Sequence, residues 1–213
     1  TDFLYPFIEG DEKDAPTLLA DLAGSARGKW TESENLRVRT LAESEGEIRQ
    51  VARLMAERFR AGGRLFTFGN GGSATDAEAV AHLYTCPPSG GRPVAARALV
   101  EDQAVLTALA NDVGFENVFS RQLIAHGRRG DIAMGLSTSG NSENLMVAFG
   151  EAHKQGMLTV GMSGYDGGRM AADPRVHHCL VARSQSVHRI QEAQAALIHA
   201  LWAAVQEELK AAA

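Results

Sequence analysis

The sequence predicts an α/β protein built on a parallel sheet, and three observations carry that prediction. Past residue 60, short apolar runs alternate with stretches of helical periodicity. Several of the runs are apolar on both alternating sets, as strands covered on two faces must be. Two of them end directly in loops of glycine and hydroxyl residues, the expected chemistry of a strand-to-helix turn at a ligand crevice. The predicted strands are residues 64–68, 93–99, 131–136, 157–162 and 178–182. Helical patterns fill the intervals at 74–84, 103–110, 115–126, 143–155 and 188–209. Gly62 and Gly63, Gly127 and Gly156 stand where helices must stop before the next strand. Such alternation implies right-handed crossovers, with the crevice at the carboxyl ends of the strands.

The first sixty residues follow another rule. Residues 1–14 are polar and acidic and contain Pro6, with Pro16 close behind, which predicts an extended arm. Helical periodicity then runs over 17–27 and again over 34–60. In the second stretch Leu36, Val38, Leu41, Ile48, Val51, Leu54, Met55 and Phe59 form a broad apolar stripe. We therefore expect an N-terminal arm and short helix over 1–33, and a single domain over 34–213.

Composition removes several classes of function. A net charge of −5 and a pI near 5.8, without a basic stripe, argue against nucleic-acid binding. No apolar run is long enough to span a membrane and no secretory-signal pattern is present, so a cytoplasmic protein is expected. Cys86 and Cys179 are isolated and lack metal-ligand spacing, which predicts reduced structural thiols.

Chemistry concentrates in the two loops. The first is Gly69-Asn70-Gly71-Gly72-Ser73; the second is Ser137-Thr138-Ser139-Gly140-Asn141-Ser142. Glycines admit an anion close to backbone amides, a helix N-terminus adds partial positive charge, and hydroxyls donate without bulk. Helix capping is the competing explanation, and Ser73 with Asp76 has capping-box spacing. Capping alone does not account for four hydroxyls among the six residues of the second loop. A phosphate site made from both loops is the reading preferred.

The two loops, Ala110-Asn111-Asp112 with Phe115, the turn Gly164-Tyr165-Asp166-Gly167-Gly168 and Arg189-Ile190-Gln191-Glu192 occur in that order. In this combination the sequence resembles the SIS (sugar isomerase) domain family, in its D-sedoheptulose 7-phosphate isomerase branch, from about residue 34 to 209. The resemblance implies a three-layer α/β/α fold with a five-stranded parallel sheet, a sugar phosphate as ligand, and a homotetramer with sites between subunits. It assigns Ser73, Ser137, Thr138, Ser139 and Ser142 to the phosphate, and Asn70 and Asp112 to the sugar chain. Gln191 and His199 match residues facing the reacting carbons, which in some members also hold zinc.

Spacing alone places His188, Glu192 and His199 on one arc of the last helix, opposite Ile190, Leu197, Leu201 and Val205. A histidine on such a helix is commonly structural; the resemblance favours a site role for His199.

The catalytic half departs from the family pattern. Where the resemblance leads one to expect a histidine and, four residues on, a glutamate, the chain has Ala79 and Leu83; an expected arginine gives way to Cys86-Pro87-Pro88. Enediol isomerisation needs a group that moves a proton between adjacent carbons, and neither alanine nor leucine does so. No resident cofactor is expected, because Gln191 and His199 cannot complete a tetrahedral zinc site by themselves. Glu78 and His82, four apart, share a neighbouring helix face, where a surface ion pair is the plainer use. Three readings stay open: an isomerase whose base is His199, Glu78 or Glu192; a sugar-phosphate sensor; and a tetrameric assembly factor.

Overall fold

The computed structural model describes residues 15–211; the arm expected over 1–14 lies outside the described residues. Contacts divide the chain between Asn35 and Leu36 into two compact units. The two helical stretches near the N-terminus are one helix, α1 (Ala15–Arg60). Residues 28–33, expected to break it, contain a single glycine and no proline, so nothing in them stops a helix. In the first unit the large apolar side chains Leu19, Leu22 and Trp30 are exposed.

The second unit begins with the remainder of α1 and continues through β1 (Leu65–Gly69), α2 (Gly72–Thr85), β2 (Ala96–Ala98) and α3 (Gln103–Val113). A 3-10 turn, Phe115–Asn117, leads into α4 (Val118–His126), then β3 (Ile132–Leu136), α5 (Glu143–Lys154) and β4 (Leu158–Gly164). The short α6 (Gly168–Ala172), β5 (His178–Ala182) and α7 (Val187–Ala211) complete it. All five strands pair in parallel, in the order β2-β1-β3-β4-β5.

Each face of the sheet buries a separate apolar layer. Leu65, Ile132, Met134, Leu136, Val160 and Met162 pack with Val51 and Met55 of α1, Val80 of α2, and Leu197 and Leu201 of α7. Phe66, Phe68 and Ala133 face the other way, onto Phe119 of α4 and Leu145 and Phe149 of α5. Strands sandwiched in this way have no polar face, which explains their continuous apolar runs.

Two elements differ from expectation for local reasons. The strand expected over 93–99 shrinks to three residues because it is an edge strand that begins after Pro93. The chain before it is fastened to α7 instead: Arg92 donates its backbone N–H to Gln206 Oε1 at 2.7 Å, and Gln206 Nε2 donates to the Arg92 carbonyl at 3.1 Å. The helix expected over 115–126 starts as a 3-10 turn after Gly114, whose φ of 94° breaks α3.

At the amino ends of the strands, the buried carboxylate of Asp131 ties three segments together. It accepts from the Arg64 and Arg128 backbone N–H groups, at 2.9 and 3.1 Å, and pairs with the Arg64 guanidinium at 2.8 Å. Buried donors left without an acceptor cost about 1–3 kcal/mol each. Asp131→Ala should lower unfolding free energy by about 2–4 kcal/mol in a denaturant titration; a change under about 0.5 kcal/mol would contradict this role.

Candidate functional site

The register of the sheet brings the two loops together. Gly69 at the end of β1 pairs with Leu136 at the end of β3, so Asn70 and Ser137 leave neighbouring strands side by side. In the first loop the chain turns at once into α2. A Cβ on Gly69 would lie 2.3 Å from the Ser73 carbonyl oxygen, so only glycine lets the helix start this close. Gly71 has φ 55° and caps α2, which begins at Gly72. This corrects the expected capping box: Ser73 is already inside the first turn and is buried, and the side chain of Asp76 meets Gln191 of α7 instead. Burial pushes the Asp76 carboxyl above the ordinary carboxylate range, opposed in part by the Gln191 hydrogen bond, and its Oδ2 has no partner.

The second loop gathers its hydroxyls around Ser137. Ser137 Oγ lies 3.4 Å from Ser139 Oγ and 3.3 Å from Ser142 Oγ. Ser137 Oγ accepts the Gly140 N–H at 3.1 Å, and Ser139 Oγ accepts the Asn141 N–H at 3.2 Å. The hydroxyl–hydroxyl separations exceed the roughly 2.7–2.8 Å of a good O–H···O bond, so the O–H donors are poorly spent on one another. Ser142 occupies the N-cap position of α5 yet makes no side-chain cap bond. Its hydroxyl turns toward Ser137 rather than onto the helix amides. Thr138 is half-buried in the same loop.

The loop is braced from behind by the chain around α6. Met170 N–H donates to the Gly140 carbonyl at 2.9 Å, and Arg169 N–H donates to Asn141 Oδ1 at 2.9 Å. Gly140 has φ 66°, and a Cβ there would lie 2.2 Å from the Gly167 carbonyl oxygen. Gln194 of α7, fully buried, reaches the Ser137 carbonyl at 3.5 Å.

Between the loops lies a cavity of about 540 Å³ lined by Asn70, Phe115, Glu116, Ser142, Glu143 and Asn144. A second, of about 420 Å³, shares Asn70 and Phe115 and extends past Glu78 to Leu106 and Phe119. Asn70 lines both cavities, Ser142 the first, and Gly71, Ala74 and Thr75 at the start of α2 the second, while Ser73, Ser137 and Ser139 line neither. Other expected residues stand apart. Asp112 is exposed near the end of α3, accepting from Asn111 Nδ2 at 2.8 Å, and lines neither cavity. Glu192 pairs with Arg189. His199 is exposed, its Nδ1 2.9 Å from the Ala195 carbonyl oxygen, two helical turns beyond Gln191. Glu78 and His82 are both exposed, with no ion pair between them among the described residues.

Ala79 is exposed, and Leu83 packs against the core at its edge; neither ligates or titrates. Among the described residues no three His, Cys, Asp or Glu side chains cluster as metal ligands. With only Gln191 and His199 of the implied set present in the chain, its residues do not fit a zinc site.

Sequence reasoning missed Asn144, Asp76, Phe115 and Glu116 as contributors to this region. Asn144 stands two residues past the serine loop and reads as an ordinary helix residue; only its pairing across the crevice marks it.

Comparison with known proteins agrees with this fold. The family model described as SIS domain matches residues 30–164. The chain belongs to the SIS-domain family. Within that family its similarity is to phosphoheptose isomerases. The protein of that name from Akkermansia muciniphila is 40% identical over 172 residues, covering 80% of this chain and 90% of the relative. The one from Aneurinibacillus thermoaerophilus is 38% identical over 180 residues, 83% of this chain and 90% of the relative. The solved phosphoheptose isomerase from Neisseria gonorrhoeae superimposes with a TM-score of 0.80 at 36% identity, over 87% of this chain and 99% of that one.

Because Gly140 combines a positive φ with a backbone contact, Gly140→Ala should lower the melting temperature by about 4–8 °C, from a cost of about 2 kcal/mol. An unchanged melting curve would show that the loop relaxes without strain.

Proposed function

We propose that this protein binds a sugar phosphate of the sedoheptulose 7-phosphate type, with its phosphate on the serine loop, and does not turn it over as an ordinary phosphoheptose isomerase. The observation that carries the reading is the cluster of Ser137, Ser139 and Ser142 hydroxyls at the start of α5, close together yet poorly bonded to one another. A phosphate accepts from all three and sits on the positive end of the helix. The names of the relatives supply the sugar class.

The absence of turnover follows from α2. Interconverting a ketose and an aldose removes a proton from one carbon and returns it to the next through an enediol, which requires a positioned acid–base group. Ala79 and Leu83 offer none. A second reading has one observation in its favour: Glu78 lines the cavity that shares Asn70 with the serine-loop cavity, which puts a carboxylate beside the proposed binding site. In that case the protein is an isomerase with a displaced base.

Hydrogen bonds to a charged acceptor contribute roughly 1.5–3 kcal/mol each. Ser139→Ala should therefore weaken sedoheptulose 7-phosphate at least about tenfold by calorimetry; unchanged affinity would refute the phosphate assignment.

Positioned acid–base groups contribute about 10²–10⁴-fold to rate. The wild-type protein should show little or no sedoheptulose 7-phosphate isomerase activity, and Ala79→His with Leu83→Glu should raise it. Ordinary turnover that is lost on Glu78→Ala would establish the second reading.

We further propose a homotetramer, on the resemblance, since most of the apolar side of α1 between Leu36 and Phe59 packs into the chain's own core and of that stripe Val38 is left exposed. Light scattering at micromolar concentration should give about four times the chain mass, and a clean monomer would rule the assembly out.

A further inference from the structure

Asn70 and Asn144 come from opposite halves of the crevice, one from the end of β1 and the other from the first turn of α5. Their side-chain amides are paired reciprocally: each Nδ2 donates to the other's Oδ1, both at 2.9 Å. Asn144 is almost fully buried at 3% exposure, Asn70 is half-buried, and both line the 540 Å³ cavity beside Ser142. An amide has two N–H donors and two acceptor lone pairs. The reciprocal ring uses one of each and leaves Asn70 one N–H and one lone pair on the wall of the cavity.

The ring also couples the two amides. Turning one over by itself sets N–H against N–H and oxygen against oxygen, and both bonds are lost. Turning both over together restores the two bonds. The pair thus behaves as a unit that presents either a donor or an acceptor at one point. A hydroxyl, which donates and accepts, suits both states, whereas a bare anion suits only one.

We propose that Asn144 is a positioning residue that holds Asn70 as a reader of sugar hydroxyls, so that this pair selects a polyhydroxylated chain while the serine loop holds the phosphate. The inference rests on the sugar-phosphate reading above. It divides recognition into two separable parts, and that division is what an experiment can measure.

Calorimetry with two probes, sedoheptulose 7-phosphate and inorganic phosphate, separates them. Asn144→Ala and Asn144→Leu should weaken the sugar phosphate at least about tenfold and inorganic phosphate by less than about twofold. Asn70→Ala should do the same, and the double variant Asn70→Ala with Asn144→Ala should lose no more than either alone, since the residues act through one another. Ser139→Ala should weaken both probes alike. Equal losses for both probes in the Asn144 variants, or additive losses in the double variant, would overturn the proposal with the phosphate site intact. Failure of the wild type to bind either probe would overturn the sugar-phosphate reading and this proposal together. Should the variants not fold, nitrogen-15 spectra of the wild type decide: the Asn70 side-chain amide should shift with the sugar phosphate and stay in place with inorganic phosphate. A shift with both, or with neither, refutes the assignment.

Discussion

The parallel pairing of β1 with β3 is the constraint on which the rest of the site depends. It ends with Gly69 opposite Leu136, and each strand then enters a loop at the same edge of the sheet. Parallel strands place their carboxyl ends together, so two loops separated by more than sixty residues in sequence become the two walls of one crevice. The Asp131 carboxylate holds the other end of the same strand pair through backbone N–H groups on both sides. A slip of one residue between β1 and β3 would turn their core-facing side chains to the wrong faces and separate Asn70 from Asn144.

Within that frame, the crevice is a place where backbone approaches backbone. Gly69 lies beneath the Ser73 carbonyl, and Gly140 lies against the Gly167 carbonyl. Each contact excludes a Cβ and brings a helix start or a loop nearer the strand ends than an ordinary residue permits. The serine hydroxyls meet in the space so made, at separations that leave their O–H groups available to an anion. The energetic logic is preorganisation: α6, Gln194 and the glycines hold the donors in place before any ligand arrives.

On the proposed reading, binding falls to the strand-end loops and proton transfer would fall to α2 and α7. The serine loop and Asn70 belong to strand ends, and those are furnished with donors. The helix that follows the first loop presents Ala79 and Leu83, whose side chains contribute packing and no chemistry. On α7, His199 Nδ1 lies against the Ala195 carbonyl of its own helix and Glu192 pairs with Arg189.

Much of this was readable from residues alone. Apolar runs on both alternating sets announced buried parallel strands, and Gly-rich and hydroxyl-rich stretches after two of them announced strand-to-helix turns, because those features follow from local backbone and side-chain chemistry. The continuity of α1 was also latent in residues 28–33, which contain nothing to stop a helix. What only the tertiary structure decided was which residues meet. Ser73 looked like a cap until Gly71, at a positive φ, began the helix early; Asp112 and His199, like Ser137 and Ser139, line neither of the two cavities. Asn144 carried no signal in sequence, because its meaning lies in a hydrogen bond to a residue 74 positions away. Local sequence specifies strands, turns and donors; the pairing of β1 with β3 specifies which donors share a cavity, and that pairing is a property of the packed sheet.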